Sequence, residues 1–457
     1  MTLRIANGAG FLGDSLDAPR RLVESAEVDY LTIEHLAELT LSILAYQRSK
    51  DPNAGYATDF LDIIESLCPS LASQSQLHIV ANSGGMNPEG CARAVGKLLV
   101  QHGFGDLQLG VVTGDDLLHE IDGLRKQGCE FRNLDTGQPL SELTEPVVSA
   151  NAYLGAKPIA DALQRDARIV ITGRVADASL TVGPTMHRFG WSWTDWDKLA
   201  AASVAGHLIE CGAQVTGAYS NRWREMRLAD VGYPIAEIES DGQTVITKPA
   251  GTGGVVDRRS VIEQLIYEIG DPRHYLTPDV DVDFTSVEVA DLGNDRVRVT
   301  GACGAAAPRN YKVSLAYRAG YTSSGQLLVY GEDAVEKAQA CGEMILERLA
   351  KAGWRPAHAN IELLGAGAAV PRQPDVAQSS NAEEVMLRVT VRDPRREAVE
   401  RFTKEFAPLI TSGPSGLAGY ATARSPVRPV MAYWPTLVPR ELVTACVRVQ
   451  SANAWLG

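Results

Sequence analysis

The sequence predicts an α/β protein, a mostly parallel sheet with helices on both faces, followed by a smaller α+β domain. Three observations carry that expectation. Short apolar runs alternate with helical patterns through the first half, several of the runs end in glycine or small polar residues, and near residue 275 the alternation gives way to strands in series. Strand–helix alternation is the pattern of a parallel sheet, because each crossover needs a helix that then lies against one face.

Taken in order, Leu3–Ala6, Tyr30–Ile33, Leu77–Ala81, Leu107–Val112 and Arg168–Ile171 read as strands, and Pro19–Ala26, Leu36–Gln47, Glu89–His102 and Pro158–Arg165 as helices. The stretch WDKLAAASVAGHLIECGAQVTGAY, residues 196–219, reads as a helix of small and apolar residues capped by Asp197, the kind buried on most sides. Ser260–Ile269 follows as another helix. The Pro- and Asp-rich GDPRHYLTPD marks the natural cut, giving an α/β domain at 1–275 and an α+β domain at 276–457. Within the second, strands flank a turn at Gly293-Asn294-Asp295, and helices are expected over Glu332–Ala350 and Arg395–Phe406.

The 457 residues exceed one compact core. Lys plus Arg is 43 against 56 Asp plus Glu, a net charge of −13, which disfavours nucleic acid and anionic membranes as partners. An anionic substrate must therefore be drawn in by local groups. No run has bilayer length and no basic-then-apolar leader opens the chain, so a soluble cytoplasmic protein is expected. Cysteines at 68, 91, 129, 211, 303, 341 and 446 show no C-x-x-C spacing, which fits reduced thiols better than a structural zinc.

Gly8, Gly10 and Gly13 spell G-x-G-x-x-G, and Glu34 ends the next apolar run. A dinucleotide fingerprint packs its last glycine inside the helix start. Here Ser15 or Asp17 caps the helix and Pro19 suits its first turn, which leaves Gly13 in the loop. NAD(P) or a flavin is disfavoured, and a tight turn bringing Gly10 to the ligand crevice is expected. No G-x-S-x-G, H-E-x-x-H or Walker loop is present.

The chemistry concentrates on the 196–219 helix. Ser203, His207, Glu210 and Gln214 fall on one stripe, and a buried polar stripe is costly unless it is paired or meets a ligand. His207 and Glu210 can move protons near neutral pH, or hold a divalent metal with a third ligand from a strand end, or form an internal hydrogen-bond network. Arg174 in TGRVADAS can grip a carboxylate, with Asp177 to pair with it, orient it or join the catalysis; a plain salt bridge is the blander alternative. Asn82, Ser83 and Gly84, and Gly251, Gly253 and Gly254, offer anion cradles before helices. Thr113 and Asp115 follow another strand. Arg309 and Lys312 in APRNYK are expected to reach over from the second domain with positive charge. Strand-end loops converge on one sheet edge, so these groups should share one cleft with His207 and Glu210.

Read together, IANGAGFLGD, YLTIEHLAELTLSIL, NSGGMNPEG, TGRVADASL, GHLIECGAQVTG, TKPAGTGGVV, APRNYKVSLAYRAGY and GPSGLAGYATARSPVRPVMAYWPTLVPR resemble the acyclic terpene utilisation AtuA family, from the first strand to residue 440. Two stretches depart from the family pattern: Ala423-Arg424-Ser425-Pro426, where the family has a Gly-Arg pair, and IEH at 33–35. The resemblance implies bacterial catabolism of terpenoid or other carboxylic acids through CoA thioesters, but no agreed reaction. Some members carry an extra C-terminal domain and others pair with a small separate protein. A chain ending soon after LVPRELVTACVRV points to the second arrangement, with a small accessory subunit, and a homo-oligomer is expected. The leading expectation is an acid/base hydro-lyase or isomerase acting on an unsaturated or hydroxylated branched carboxylic acid or its CoA thioester. The alternatives are a non-catalytic large subunit that binds a CoA ester and scaffolds a partner enzyme, and an oxidoreductase using the 8-10-13 loop.

Overall fold

The computed structural model describes residues 2–369, 382–419 and 424–457. Its elements run β1 (Leu3–Asn7), α1 (Ala18–Ser25), β2 (Tyr30–Ile33), α2 (Glu38–Lys50), α3 (Asp59–Ser73), β3 (His78–Ala81), α4 (Pro88–Gln101), β4 (Gln108–Thr113), α5 (Ile121–Lys126), β5 (Val147–Ala152), α6 (Lys157–Leu163), β6 (Ile169–Thr172), α7 (Ser179–Phe189) and α8 (Trp196–Glu210). There follow β7 (Ile235–Ile238), β8 (Thr244–Thr247), α9 (Arg258–Leu265), β9 (Tyr275–Leu276), β10 (Asp281–Asp283), β11 (Glu288–Asp291), β12 (Val297–Thr300) and β13 (Cys303–Ala305). The rest comprises β14 (Asn310–Tyr330), α10 (Ala334–Lys351), β15 (His358–Leu364), β16 (Glu384–Asp393), α11 (Arg396–Phe402), α12 (Leu409–Ser412), β17 (Leu417–Ala418), β18 (Arg428–Pro439) and β19 (Cys446–Ser451). Residues 420–423, and with them the Ala423 departure, lie outside the described residues.

Two compact units share the chain, Met1–Ala316 with Tyr433–Gly457, and Tyr317–Ala432. The first is built on a ten-stranded sheet in the order β11-β12-β8-β7-β1-β2-β3-β6-β4-β19. The mostly parallel sheet predicted from sequence is found only in its middle. Strands β1, β2, β3, β6 and β4 are parallel. β7, β8, β12 and β11 extend one side antiparallel, and β19 closes the other side antiparallel to β4. The reason is connection length: GYPIAEIESDGQTVITKP turns back at Gly242 (φ 92°), and a tight turn can join only antiparallel neighbours.

Side chains alternate across the parallel strands, so Ile79 and Ala81 of β3 and Ile169 and Ile171 of β6 face one way. There they pack on Phe60, Ile63, Ile64 and Leu67 of α3 and Cys91, Val95 and Leu99 of α4. The helices form two separate packed series, α1-α3-α4 and α6-α7-α8-α9, one for each face. Residues 276–316, assigned by sequence to the second domain, lie in the first unit. The hairpin turning at Gly293-Asn294-Asp295, all three at positive φ, adds β11 and β12 to the large sheet through β8 instead of founding a new one.

In the second unit β16 pairs antiparallel with β14 (Tyr321 to Tyr330 against Asp393 to Glu384) and with β15. Leu327, Val329, Leu387 and Val389 pack under Ala338, Cys341 and Ile345 of α10 and Val399 and Phe402 of α11. The expected helices after Glu332 and Arg395 are these two, within two residues at their starts.

Gly84 shows how closely the central strand ends approach one another. A Cβ there would lie 2.5 Å from the Thr172 carbonyl oxygen and 2.8 Å from Pro88 Cα, both backbone atoms. Gly84→Ala is expected to destabilise the first unit by about 1–3 kcal/mol through overpacking. Denaturant unfolding checks this; unchanged stability contradicts so close an approach.

Candidate functional site

Beyond β3 the chain passes to α4, in one helical series, and beyond the neighbouring β6 to α7, in the other. Two adjacent parallel strands whose chains leave toward opposite faces form a switch point, and the carboxyl ends of the strands there are the usual ligand position in such sheets. One lip carries Asn82, Ser83 and Gly84, the other Gly173, Arg174 and Asp177.

Arg174 is 2% exposed. Its Nη1 donates to the Leu36 carbonyl at 2.6 Å, its Nη2 stands 2.9 Å from Asp177 Oδ1, and its Cζ lies 4.1 Å from the centre of the Tyr153 ring. A one-residue parallel bridge between Leu154 and Val175 sets that ring against the guanidinium. The backbone N–H of Arg174 donates to Asp115 Oδ2 at 2.8 Å, as does Asn151 Nδ2. Asp115, pushed up to about 6 mainly by burial, thus anchors the β6 loop; Gly173 leaves room for it, since a Cβ would sit 2.3 Å from its Oδ1. Burial works against the Arg174 charge, but Asp177, Tyr153, Glu34 and Glu38 outweigh it and hold the guanidinium protonated.

Carboxyl groups outnumber that cation. Glu34 is 4% exposed and accepts both contacts from Asn82 Nδ2 (2.6 Å each) and the Leu36 amide (2.7 Å). Burial first, then Asp177, drive it well above the ordinary carboxyl range. Asn82 Oδ1 accepts the His35 amide, and Ser83 Oγ meets His35 Nδ1 at 2.9 Å; burial lowers that imidazole to about 4, so it is neutral. The NSGG loop therefore holds the β2 end, with side chains already paired inside the protein. Glu38 at the start of α2 is held at about 2: burial raises it, and the Tyr153 hydroxyl, Arg174 and Lys312 more than reverse that. Lys312 Nζ lies 3.3 Å from Glu38 Oε1 and 4.7 Å from the Tyr153 ring centre.

Asp177 ends on a different balance. Its side chain is 35% exposed, although Oδ1 is buried and lacks an aligned hydrogen bond. Burial raises its pKa, Arg174 lowers it, and Glu210, Glu38 and Glu268 raise it again, leaving it at about 7. Glu210 comes near because Gly206 lets α8 pack on the residue after Asp177, where a Cβ would lie 2.8 Å from Ala178 Cα. Gly10 does the same from β1, with its Cβ position 2.7 Å from the Cys211 carbonyl carbon, while Asn7 Nδ2 caps the Ile209 and Glu210 carbonyls at 2.7 and 3.0 Å.

His207, 1% exposed, donates from Nδ1 to Glu210 Oε1 at 3.1 Å and from Nε2 to the Gln264 carbonyl at 3.0 Å. Both partners are acceptors, so the imidazolium satisfies both. Burial opposes that charge, but the Glu210 hydrogen bond and charge raise the pKa overall. With both nitrogens engaged and its ring against Tyr275 and Phe284, His207 positions Glu210. Glu210 Oε2 is buried and unpartnered among the described residues.

The structure thus brings together Gly10, Asn82, Ser83, Gly84, Asp115, Arg174, Asp177 and Glu210, with His207 behind. Gln214 leaves the stripe because Gly212 (φ 57°) ends the helix, and Ser203 is buried with Oγ unpartnered among the described residues. Gly253 and Gly254 form no open cradle, since their amides donate to Asp230 and Val231 carbonyls at 2.6 and 2.9 Å. Gly251 lines a separate hollow of about 500 Å³ with Arg21 and Tyr233. The Gly10 amide is taken by Asp14 Oδ2 at 2.9 Å, so an internal carboxylate occupies the turn. Arg309 is exposed, and it and Lys312 belong to the first unit, not a second domain. Thr113 ends β4 opposite Cys446. Among the described residues no three His, Cys, Asp or Glu side chains cluster to hold a metal ion, and no helix is long and apolar enough to cross a membrane. Glu38, Tyr153, Glu268 and Tyr275 were not singled out from sequence. The β5 strand that delivers Tyr153 was also unread, and its VVSANA has no clean alternation to announce it.

A family model described as acyclic terpene utilisation family protein AtuA matches residues 3–449. No curated protein and no solved structure matches the chain.

The His207–Glu210 pair makes a pH-dependent contribution. A raised folded-state pKa stabilises fully below the unfolded value of about 6.5 and loses that contribution as pH rises through the folded value. His207→Gln, which leaves Glu210 buried without its cation, is expected to cost about 3 kcal/mol at pH 6 and clearly less at pH 9. Chemical denaturation of both proteins at the two pH values measures it; a pH-independent difference contradicts the charged pair.

Proposed function

The chain belongs to the acyclic terpene utilisation AtuA family, and we propose that it is a catabolic hydro-lyase or isomerase in which Asp177 carries the proton. The substrate class is an unsaturated or hydroxylated branched carboxylic acid or its CoA thioester. The observation that carries this reading is Asp177 itself, a partly exposed carboxyl at the strand-end crevice with a pKa of about 7. A group whose pKa lies near the working pH both gives and takes protons efficiently.

One carboxyl suffices for either reaction. In elimination, Asp177 as carboxylate takes the proton from the carbon next to the acyl group, the C–H and C–O bonds break, a C=C bond forms, and the same proton leaves on the hydroxyl as water. In isomerisation it returns the proton to a different carbon. Arg174 fixes the carboxyl through Oδ1, leaving the exposed part of the side chain to the substrate. Glu210, held by His207, and Glu268 keep its pKa from falling to the ordinary aspartate range. Lys312, beside Tyr153 and Glu38, supplies positive charge for the substrate's anionic end. A non-catalytic CoA-ester scaffold needs no titrating group in this crevice, so the placement of Asp177 favours the enzyme.

Asp177→Asn keeps the size of the side chain and removes the proton carrier. Against branched 2-enoic and 3-hydroxy acids and their CoA thioesters, kcat/KM is expected to fall about 10²–10⁴-fold. In the dehydrating direction the parent activity should rise with pH through an inflection near 7, because the carboxylate is the reactive form. Retained activity, or the same inflection in the variant, contradicts the assignment.

A further inference from the structure

Tyr275 opens β9 and packs its ring on two neighbours. It lies 5.7 Å from the His207 ring and 5.1 Å edge-on from Phe284, while Phe284 stands 5.5 Å from His207. Three rings in mutual contact fix where the phenol points. His207 is bonded to Glu210, so the cluster that positions Glu210 also positions Tyr275. Around Tyr275 are the charges of Glu210, Asp177 and Glu268 and the thiol of Cys211. No hydrogen bond of the Tyr275 hydroxyl to any of them is formed in the described structure, whereas the comparable phenols of Tyr153 and Tyr233 donate to Glu38 and Asp14. Nearby, Glu210 Oε2 and Gln264 Oε1 are buried and also unpartnered among the described residues. A phenol with a fixed ring and an uncommitted O–H, set against the His207 ring that holds Glu210, is a donor waiting for an acceptor.

We propose that Tyr275 is a further catalytic residue of this crevice, its O–H donating to the carbonyl oxygen of the substrate's carboxyl or thioester group as the adjacent C–H bond breaks. The inference rests on the reading of Asp177 as proton carrier. When the proton leaves carbon for Asp177, the electron pair moves toward that oxygen, and a positioned donor stabilises the charge there. Tyr275 keeps its proton throughout: burial, then Glu210, Asp177 and Glu268, push the phenol far above its usual range, so it acts as a hydrogen-bond donor and not as a base. Tyr275 thereby supplies a donor in a crevice whose other groups are mostly carboxyls.

Tyr275→Phe in the full chain removes only the hydroxyl and keeps the ring contacts. The expected result is an unchanged Tm and a kcat/KM about 10²-fold lower, lost mainly from kcat, with the inflection near pH 7 retained. A second readout does not depend on turnover. With tyrosine labelled at the ζ-carbon, the signal absent from Tyr275→Phe should step near pH 7 in the parent protein and lose that step in Asp177→Asn. It should also move on addition of 3-methylpent-2-enoate or 3-hydroxy-3-methylpentanoate, free or as the CoA thioester. No step near pH 7, no response to any of these probes, or parent-like kcat in Tyr275→Phe overturns the proposal. A signal that steps and answers a probe in a protein that turns none of them over supports the Tyr275 contact while refuting the hydro-lyase or isomerase reading.

Discussion

Taking a guanidinium out of water costs several kcal/mol unless nearby groups compensate it, and the chain around Arg174 is arranged to do so. The Leu36 carbonyl, the Asp177 carboxyl and the Tyr153 ring each take one aspect of the cation. Those partners come from three segments, after β2, after β6 and after β5. Their convergence therefore sets the geometry of the crevice. Asp115, itself held by Asn151, accepts from the Arg174 backbone, and the missing Cβ of Gly173 lets it approach.

The same cation sets the charge balance. Glu34, Glu38 and Asp177 all feel it, and they settle in three different states. Glu38 has the Tyr153 hydroxyl and Lys312 in addition and stays ionised. Glu34 is enclosed, has among the described residues only Asn82 and a backbone amide as close donors, and rises well above the carboxyl range. Asp177 is raised first by burial, lowered by Arg174 and raised again by Glu210, Glu38 and Glu268, and comes to rest near neutrality. Similar groups are driven apart by environment alone, which is how a protein assigns proton-transfer roles to chemically similar side chains.

Much of this was legible in the sequence, for local reasons. Strands β1, β2, β3, β4 and β6 stand out as short apolar runs, and their ends carry Gly10, Asn82, Asp115 and Arg174 because loops at strand ends need small or polar residues. The His207–Glu210 spacing shows on α8 as an i, i+3 pair. What was not legible depends on tertiary placement. Tyr153 and Glu38 meet Arg174 through a single β-bridge and a helix start, and no periodicity announces either. Tyr275 reaches His207 from a two-residue strand. The glycines misled where their cause was packing: Gly10 makes room for the end of α8, and Gly253 and Gly254 thread a turn whose amides are already bonded. The antiparallel flanks of the sheet were missed because IAEI and TVIT, the sequences of β7 and β8, interrupt their apolar residues with glutamate and threonine.

Burial, Arg174 and the surrounding carboxyls together set the protonation state of Asp177. A pH titration of the aspartate carboxyl carbons in the isotopically labelled full chain, with the Asp177 signal identified by its absence in Asp177→Asn, measures that state without any substrate. A midpoint near 7 is expected, dropping toward the ordinary aspartate range when Glu210→Gln removes a neighbouring negative charge. A midpoint near 4 in the parent protein, unmoved by that substitution, would contradict it.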